Sequence, residues 1–389
     1  MALGLLDRQD WGFPVPLSYG PGRIADIGLY CAMYGIEKPL IVTDRGSRDL
    51  PFIGKLSDDL GKASLTNVIF SDISPNPRDD EIKAGAATLR SGDHDGVIAI
   101  GGGSAMDGAK AICLTARTGL DVLAFNFDET APSVAKDAFP KLITVPTTAG
   151  TGAETESTAM VTDTSRGMKF CVWHEELKPS VAILDPELTL GLPPHLTAWT
   201  GVDALTHAIE AYIVPDLNPL CDGLALEALS LISEWLEVAV NEPDNLEARG
   251  GMLLGSCLAG IAFLKGLGHV HAISHMVGAE YDTQHGLTNA VVLPVVLRYN
   301  LPDLPEKTRR MSEAMGMGAL DPQAFCAAID GILDRLDIPR SLSALGVEMD
   351  SAERLAGKAV LDAAAGTNPK QSSVAEMRAL IETAISRAR

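Results

Sequence analysis

The chain has 389 residues, enough for two domains and a large core. Its side chains are 46% hydrophobic and 21% charged, and 31 basic against 51 acidic residues give a formal net charge of −20. We expect neither nucleic acid nor membrane as a partner, because both are bound through basic patches. The N-terminal residues lack the basic start and long apolar run of a signal peptide, and no apolar stretch looks long enough to span a membrane. Six scattered cysteines without a C-x-x-C pair are typical of reduced thiols, so a cytoplasmic protein is expected.

The first half of the chain alternates strand-like and helix-like segments. Short apolar runs occupy 38–44, 66–72, 95–103, 141–148 and 178–188. The helical stretches DDEIKAGAATLR and AMDGAKAICLTAR lie between consecutive runs. This alternation predicts a parallel sheet that is covered by helices on both faces.

From about residue 193 the pattern changes to long segments with helical periodicity. The segment AVVLPVVL stays ambiguous between a strand and a buried helix. We therefore predict two domains: an α/β domain with a Rossmann-like parallel sheet over residues 1–190, and an all-α domain over residues 191–389.

A glycine loop follows the strand-like segment VIAI. Gly101, Gly102, Gly103 and Ser104 lead into a helix whose first turn carries Asp107. Glycines let a phosphate approach the backbone, and the helix N terminus offers N–H groups and a positive dipole end, so the loop is a candidate pyrophosphate cradle. A plain packing turn is the alternative, and Asp107 fits helix stabilisation as well as ligand contact.

A second polar loop, Pro146 to Glu154, follows the strand-like segment KLITV. Because the carboxyl ends of parallel strands share one edge of a sheet, we expect it beside the glycine loop, where ligands bind in such folds. Its hydroxyls could instead satisfy their own backbone. Asp44 ends another strand, where a carboxylate binds ribose hydroxyls and disfavours a 2′-phosphate, which indicates NAD over NADP.

Five of the eight histidines lie between positions 207 and 285. Asp203 and His207 are four residues apart, as are His271 and His275, so each pair shares one face of a helix. His285 follows. One carboxylate and several imidazoles that converge indicate a divalent-metal site of the type that holds zinc or ferrous iron.

The chain resembles the iron-dependent (group III) alcohol dehydrogenase family over nearly its whole length. The resemblance rests on the segments GGGSAMDGAK, PTTAGTGAE, GVDALTHAIEAY and GLGHVHAISHMVGAEYDTQHGLTNAVVLP. The resemblance implies a dehydroquinate synthase-like architecture, often in a homodimer. It implies that Asp203, His207, His271 and His285 bind the metal, and that His275 is an unligated catalytic histidine that transfers a proton. It further implies NAD contacts from Asp44, Asn76, Gly102, Gly103, Ser104, Asp107, Thr147, Thr148, Thr151 and Lys169.

These features predict an NAD-dependent and metal-dependent alcohol dehydrogenase that interconverts a primary alcohol and its aldehyde by hydride transfer. Fe²⁺ is the expected metal, with Zn²⁺ as an alternative. A second hypothesis is a 4-hydroxybutyrate or related hydroxy-acid dehydrogenase of the same fold. A third is a non-catalytic, metal-stabilised dinucleotide-binding protein.

Two residues depart from the family pattern: Lys265 and His269. Lys265 could pair with a substrate carboxylate if it pointed into the substrate pocket. Both residues could instead lie outside the site.

Overall fold

The computed structural model describes residues 15–127, 129–135 and 138–387. Within them the chain forms two compact units. The α/β unit contains residues 15–148 and 153–191, and the helical unit contains residues 149–152 and 192–387. The short segment 149–152 belongs to the helical unit although it comes from the first half of the sequence.

The α/β unit is built on a six-stranded sheet in which every pair of neighbours is parallel. Its strands are β1 (Leu17–Tyr19), β2 (Pro39–Val42), β3 (Val68–Phe70), β4 (Gly96–Gly101), β5 (Lys141–Pro146) and β8 (Val181–Leu184), in the order β1-β8-β5-β4-β2-β3. The chain passes from β2 to β3 at one edge of the sheet, and from β4 to β5 towards the opposite edge. The order of the strands therefore reverses between the neighbours β2 and β4. Ligands of open α/β sheets bind at the carboxyl ends of such a strand pair.

Helices cover both faces of this sheet, as predicted. They are α1 (Ile27–Tyr34), α2 (Pro51–Lys62), α3 (Asp79–Ser91) and α4 (Gly103–Ala116). Successive side chains of a strand point to opposite faces. Accordingly Leu40 and Val42 join one core cluster with α3 and α4, whereas Ile41 joins the other with α1 and α2.

An antiparallel hairpin that the sequence analysis did not predict extends this unit. It consists of β6 (Thr158–Asp163) and β7 (Met168–Trp173). Side chains alternate along β6, and Ala159 and Val161 pack into the α3–α4 core cluster. The Asp163 carboxylate closes the turn by accepting hydrogen bonds from the backbone of Ser165 and Arg166.

The helical unit surrounds one buried helix, α5 (Pro194–Ile213), which is buried at almost every position from Thr197 onward. The other helices are α6 (Pro219–Asn241), α7 (Leu246–Ala262), α8 (His269–Tyr281), α9 (His285–Asn300), α10 (Pro305–Ala314), α11 (Pro322–Arg335), α12 (Ala352–Ala359), α13 (Ala363–Thr367) and α14 (Val374–Ser386). A helix that is buried on all sides needs neighbours that enclose it, and α6, α7 and α9 pack against α5. The ambiguous segment AVVLPVVL is part of helix α9.

One described segment, Leu246–Lys265, has the length and hydropathy of a membrane span, which the sequence analysis did not anticipate. Its most apolar window is 72% buried inside the structure, as expected of a core helix. All six cysteines are unbridged, which agrees with the prediction of free thiols.

Candidate metal centre and dinucleotide loops

Four predicted metal ligands converge in the helical unit. Asp203 and His207 lie one turn apart on α5, His271 lies in the first turn of α8, and His285 begins α9. The Nε2 atoms of these three histidines are 3.8, 3.8 and 3.7 Å from Asp203 Oδ1, in chain order. All four ligand atoms lie within 4.8 Å of one another. One carboxylate oxygen and three imidazole nitrogens form a donor set that fits zinc or ferrous iron.

The four proposed ligands are not equally buried. Asp203, His207 and His271 are buried, whereas the side chain of His285 is 26% exposed. His285 is therefore the most exposed of the four proposed ligands.

Hydrogen bonds at Nδ1 fix the tautomers of two ligands. The Nδ1 of His207 lies 3.2 Å from the carbonyl oxygen of Gly150, and the Nδ1 of His271 lies 2.6 Å from Glu210 Oε2. A carbonyl and a carboxylate can only accept, so both imidazoles donate from Nδ1 and present the Nε2 lone pair to the centre.

Burial and charge shift the pKa values of these two histidines in opposite directions. Burial lowers the pKa of His207 to about 4, against the opposing charge of Asp203. Burial also acts to lower the pKa of His271, but the hydrogen bond and charge of Glu210 outweigh it, and the pKa is raised. His207 is therefore neutral at neutral pH, in the form that can bind a cation.

Glu210 was missed by the sequence analysis. It lies seven residues after Asp203 and three after His207, so the three side chains share one face of α5. Its carboxylate accepts from the Nδ1 of His271 and from two backbone N–H groups at the start of α8. The i, i+4, i+7 spacing was a usable signal, although its partner lies 61 residues away in the sequence.

Asn289 was also missed, and it lies at the centre of the cluster. Its Nδ2 donates to Asp203 Oδ1 at 2.7 Å and lies 3.0 and 3.2 Å from the Nε2 atoms of His271 and His285. The side chain is fully buried, and its Oδ1 has no hydrogen-bond partner among the described residues. The amide therefore restrains the carboxylate that the metal would use.

His275 stands beside the ligand set. Its ring is parallel to that of His285, with the centroids 5.5 Å apart, and its Nδ1 donates to Asp362 Oδ2 at 3.0 Å. The other oxygen of Asp362 caps α13 through the N–H of Ala364. The structure thus holds His275 next to the cluster, and its role in proton transfer stays a prediction.

Most of the predicted NAD contacts lie at the carboxyl ends of β2, β4 and β5. The Asp44 carboxylate accepts from the N–H and the hydroxyl of Ser47. A Cβ at Gly101 would lie 2.8 Å from Asp44 Oδ2, and one at Gly102 would lie 3.6 Å from Thr148 Cγ2. The N–H of Thr147 donates to Gly101 O at 2.9 Å. These loops therefore meet at the point where the chain changes direction in the sheet.

The start of α4 completes this edge with Gly103 and Ser104, whereas Asp107 lies in the second turn of α4 and not in the first turn, as had been expected. Gly102 precedes the helix, and within the described residues no side chain caps its N terminus. Its first turn is therefore accessible to an anionic ligand group, as a phosphate site requires.

The remaining predicted NAD contacts lie elsewhere. Lys169 on β7 pairs with Thr162 on β6. The N–H of Thr162 donates to the carbonyl oxygen of Pro77, which follows Asn76 in the sequence. Lys169 and Asn76 therefore lie in the same region of the α/β unit. Thr151 is part of the helical unit.

The two departures from the family pattern lie outside the ligand cluster. Lys265 Nζ donates to Asp222 Oδ1 at 2.5 Å, and its side chain is 1% exposed. Its charge is therefore already paired, which argues against the suggestion that it binds a substrate carboxylate. His269 Nε2 pairs with the Ser372 hydroxyl at 2.7 Å, so this ring serves packing between α8 and the segment before α14.

Two family models match the chain almost from end to end. The model described as "Iron-containing alcohol dehydrogenase" matches residues 14–186, and that described as "Fe-containing alcohol dehydrogenase family, C-terminal" matches residues 197–385. Together they span both units of the structure.

Curated relatives agree with these models. The chain is 38% identical to 1,3-propanediol dehydrogenase of Klebsiella pneumoniae, over 94% of this chain and 96% of the relative. It is 36% identical to NAD-dependent methanol dehydrogenase of Bacillus methanolicus, over 94% and 97%. It is 35% identical to 4-hydroxybutyrate dehydrogenase of Cupriavidus necator, over 93% and 96%.

Solved structures show the same fold. A crystal structure of 1,3-propanediol oxidoreductase superposes with a TM-score of 0.92 at 36% identity, covering 97% of this chain and all of the other. Sulfoacetaldehyde reductase from Bifidobacterium kashiwanohense, in complex with NAD⁺, gives a TM-score of 0.87 at 28% identity, covering 98% of this chain and all of the other. The predicted fold class is thereby confirmed, and the chain belongs to the iron-containing alcohol dehydrogenase family.

Proposed function

We propose that this protein is an NAD-dependent and metal-dependent alcohol dehydrogenase that interconverts a primary alcohol and its aldehyde by hydride transfer. The observation that carries the proposal is the convergence of Asp203, His207, His271 and His285 within 4.8 Å, with His285 partly exposed. Membership of the alcohol dehydrogenase family supports the reaction class.

We assign the metal to these four residues, with Fe²⁺ as the proposed ion and Zn²⁺ as the alternative, because the donor set accepts both. A divalent cation held there supplies Lewis acidity at the oxygen of the alcohol or aldehyde. The protein keeps the Nε2 lone pairs of His207 and His271 directed at the centre through the Nδ1 hydrogen bonds. His275, whose Nδ1 is bound by Asp362, is the proposed group for proton transfer through Nε2.

We propose NAD rather than NADP as the hydride carrier. Asp44 lies at the carboxyl end of β2, held by Ser47, where its charge would repel a 2′-phosphate. A relative named as NAD-dependent and a neighbour solved with NAD⁺ support this choice. The proposed contacts are Asp44, Asn76, Gly102, Gly103, Ser104, Asp107, Thr147, Thr148, Thr151 and Lys169. We further propose a cytoplasmic homodimer that acts on small molecules.

A hydroxy-acid substrate is the second candidate, favoured by the relative named 4-hydroxybutyrate dehydrogenase. Because Lys265 is already paired with Asp222, such a substrate would need another cationic partner for its carboxylate.

The test is oxidation of NADH and of NADPH by metal-stripped protein, with and without anaerobic Fe²⁺, on a panel of aldehydes that includes succinic semialdehyde. We expect turnover that depends on the metal and prefers NADH. Preference for succinic semialdehyde would select the hydroxy-acid candidate. Tight NADH binding without turnover on any aldehyde would contradict the proposal and favour a non-catalytic dinucleotide-binding protein.

A further inference from the structure

Beside the four ligands lies a buried carboxylate that touches one of them. We propose that Glu210 is a positioning residue of the metal centre: it fixes the tautomer of His271 and supplies a second buried negative charge next to the cation. This inference rests on the metal-dependent function proposed above, and it concerns affinity for the metal.

The geometry leaves Glu210 little freedom. Its Oε2 accepts from the Nδ1 of His271 at 2.6 Å and from the N–H of Gly268 at 3.1 Å, and its Oε1 accepts from the N–H of Val270 at 2.8 Å. The side chain is 1% exposed. Three donors therefore hold the carboxylate between α5 and the first turn of α8, so the ring of His271 cannot turn without losing a charge-assisted hydrogen bond.

The tautomer follows from this contact. An ionised carboxylate has no hydrogen to donate, so the proton of a neutral His271 must lie on Nδ1. Its Nε2, which faces Asp203, then carries the lone pair that a cation needs. Carboxylates in this position orient imidazole ligands and raise their basicity, and their loss costs about 10–100-fold in metal affinity.

The negative charge of Glu210 is a second reason to expect that it strengthens metal binding. Among the four ligands only Asp203 is anionic, so one negative charge faces a divalent ion in a buried place, where an unbalanced charge is costly. Glu210 is the carboxylate that contacts a ligand histidine directly, whereas Asp362 contacts His275. Glu210 therefore reduces the excess positive charge of the loaded centre.

A purely structural role is the competing explanation, because two of the three hydrogen bonds satisfy backbone N–H groups at the start of α8. That role predicts a loss of folding stability in a Glu210 variant without a specific change in metal affinity. The two explanations therefore differ in what happens to the dissociation constant of the metal in protein that is still folded.

The experiment compares wild-type protein with Glu210→Gln. Glu280→Gln serves as the matched control, because it removes a carboxylate that pairs with Arg354 at the far end of α8, the helix that carries His271. Metal-stripped samples are titrated with Zn²⁺ in competition with a chromophoric chelator. We expect affinity to fall about 10–100-fold in Glu210→Gln and to stay within about twofold of wild type in Glu280→Gln. Unchanged affinity in folded Glu210→Gln would overturn the inference, whereas a wild type that binds no metal would overturn the proposed function instead.

A second measurement decides the matter if Glu210→Gln does not fold. Ring ¹⁵N chemical shifts of ¹⁵N-histidine-labelled wild-type protein, stripped of metal, report the tautomer of each neutral imidazole. We expect His271 to carry a hydrogen-bonded proton on Nδ1. A predominant Nε2–H form of His271 would overturn the inference without any substitution.

Discussion

At the scale of single residues, the Nδ2 atom of Asn289 lies within 3.2 Å of three of the four proposed ligand atoms. Its amide donates to the carboxylate of Asp203 and lies against two imidazole nitrogens. An N–H donor at this position stabilises the carboxylate of Asp203, but it does not favour a cation. The charge of the group at this position should therefore affect metal binding. The residue therefore offers a direct test of the electrostatics of the site.

We predict that Asn289→Asp makes folding depend more strongly on metal. The new carboxylate would lie about as close to Asp203 as the amide does, and two buried like charges destabilise the protein unless a cation lies between them. The rise in melting temperature on adding Zn²⁺ should therefore be larger in the variant than in wild type. Asn300→Asp, at the end of the same helix and hydrogen-bonded to Asn368, is the control in which added metal should not restore stability. Equal metal-induced shifts in wild type and Asn289→Asp would count against the proposed position of the cation.

Glu156 gives a pH-dependent prediction in the α/β unit. Burial raises the pKa of its carboxyl from 4.5 to about 8, with Lys110 and the hydroxyl of Thr158 acting in the opposite direction. Between pH 4.5 and 8 the folded protein holds a proton that the unfolded chain has released, so the free energy of unfolding falls as the pH rises.

The Glu156→Gln variant should lose this dependence. Its stability relative to wild type should increase from pH 6 to 8 by at most about 1.4 kcal/mol per pH unit, measured by urea unfolding. Glu175→Gln, which alters an exposed carboxylate nearby, should follow the wild-type profile. Parallel profiles for Glu156→Gln and wild type would show that the carboxyl is ionised in the folded protein.

Residue spacing predicted part of the site and missed part of it. The pair Asp203 and His207 shares a helix face, as expected, because both positions are on α5. Of the pair His271 and His275, only His271 belongs to the ligand cluster. The ring of His275 is instead hydrogen-bonded to Asp362, which lies 87 residues later in the sequence. Glu210 and Asn289 were missed because their importance comes from contacts between helices. The spacing of Glu210 places it on one face with Asp203 and His207, but it does not reveal the partner of Glu210 on α8.

At the scale of elements, the segment 149–152 supplies the backbone oxygen that accepts a hydrogen bond from the proposed metal ligand His207. Gly152 has φ +64°, and a Cβ at Gly260 on α7 would lie 2.5 Å from the Cα of Gly152. Gly150 packs against Thr200, and its carbonyl oxygen accepts from His207. The close approach of two glycine backbones therefore keeps the acceptor of His207 in place.

We predict that Gly260→Ala displaces this segment. The added methyl meets backbone atoms that have no rotamer to move aside, and overpacking of this kind costs about 1–3 kcal/mol. Stability should fall by that amount, and Zn²⁺ affinity should fall with it as the hydrogen bond to His207 is lost. Gly223→Ala on α6, where a Cβ meets nothing within 4 Å, should be neutral or slightly stabilising. Wild-type stability and affinity in Gly260→Ala would contradict the role given to the segment.

Elements with a long or strongly apolar pattern were predicted well, and short ones were not. The five predicted strands and the helices between them lie where expected. The three residues of β1 are too few for a pattern. The β6–β7 hairpin escaped because its side chains alternate, as in a half-buried antiparallel pair, whereas the prediction relied on continuous apolar runs. AVVLPVVL could not be assigned because Pro294 and its β-branched neighbours disfavour a helix, and burial on all sides outweighs that tendency.

At the scale of the whole molecule, the proposed function requires that the helical unit hold a single divalent cation on residues from three helices. The two-part pattern of the chain predicted the fold class, but it could not locate the segment 149–152 in the helical unit. That assignment depends on glycine contacts with α5 and α7 that only the folded chain provides.

The most direct test is an anaerobic titration of metal-stripped protein with Fe²⁺, in wild type, Asp203→Ala and Asp216→Ala. Asp216 is exposed just beyond the end of α5, so its variant controls for the loss of one acidic residue. The proposed metal site predicts one tightly bound ion per chain in wild type and in Asp216→Ala, and loss of tight binding in Asp203→Ala. Tight binding of one ion per chain by Asp203→Ala would contradict it.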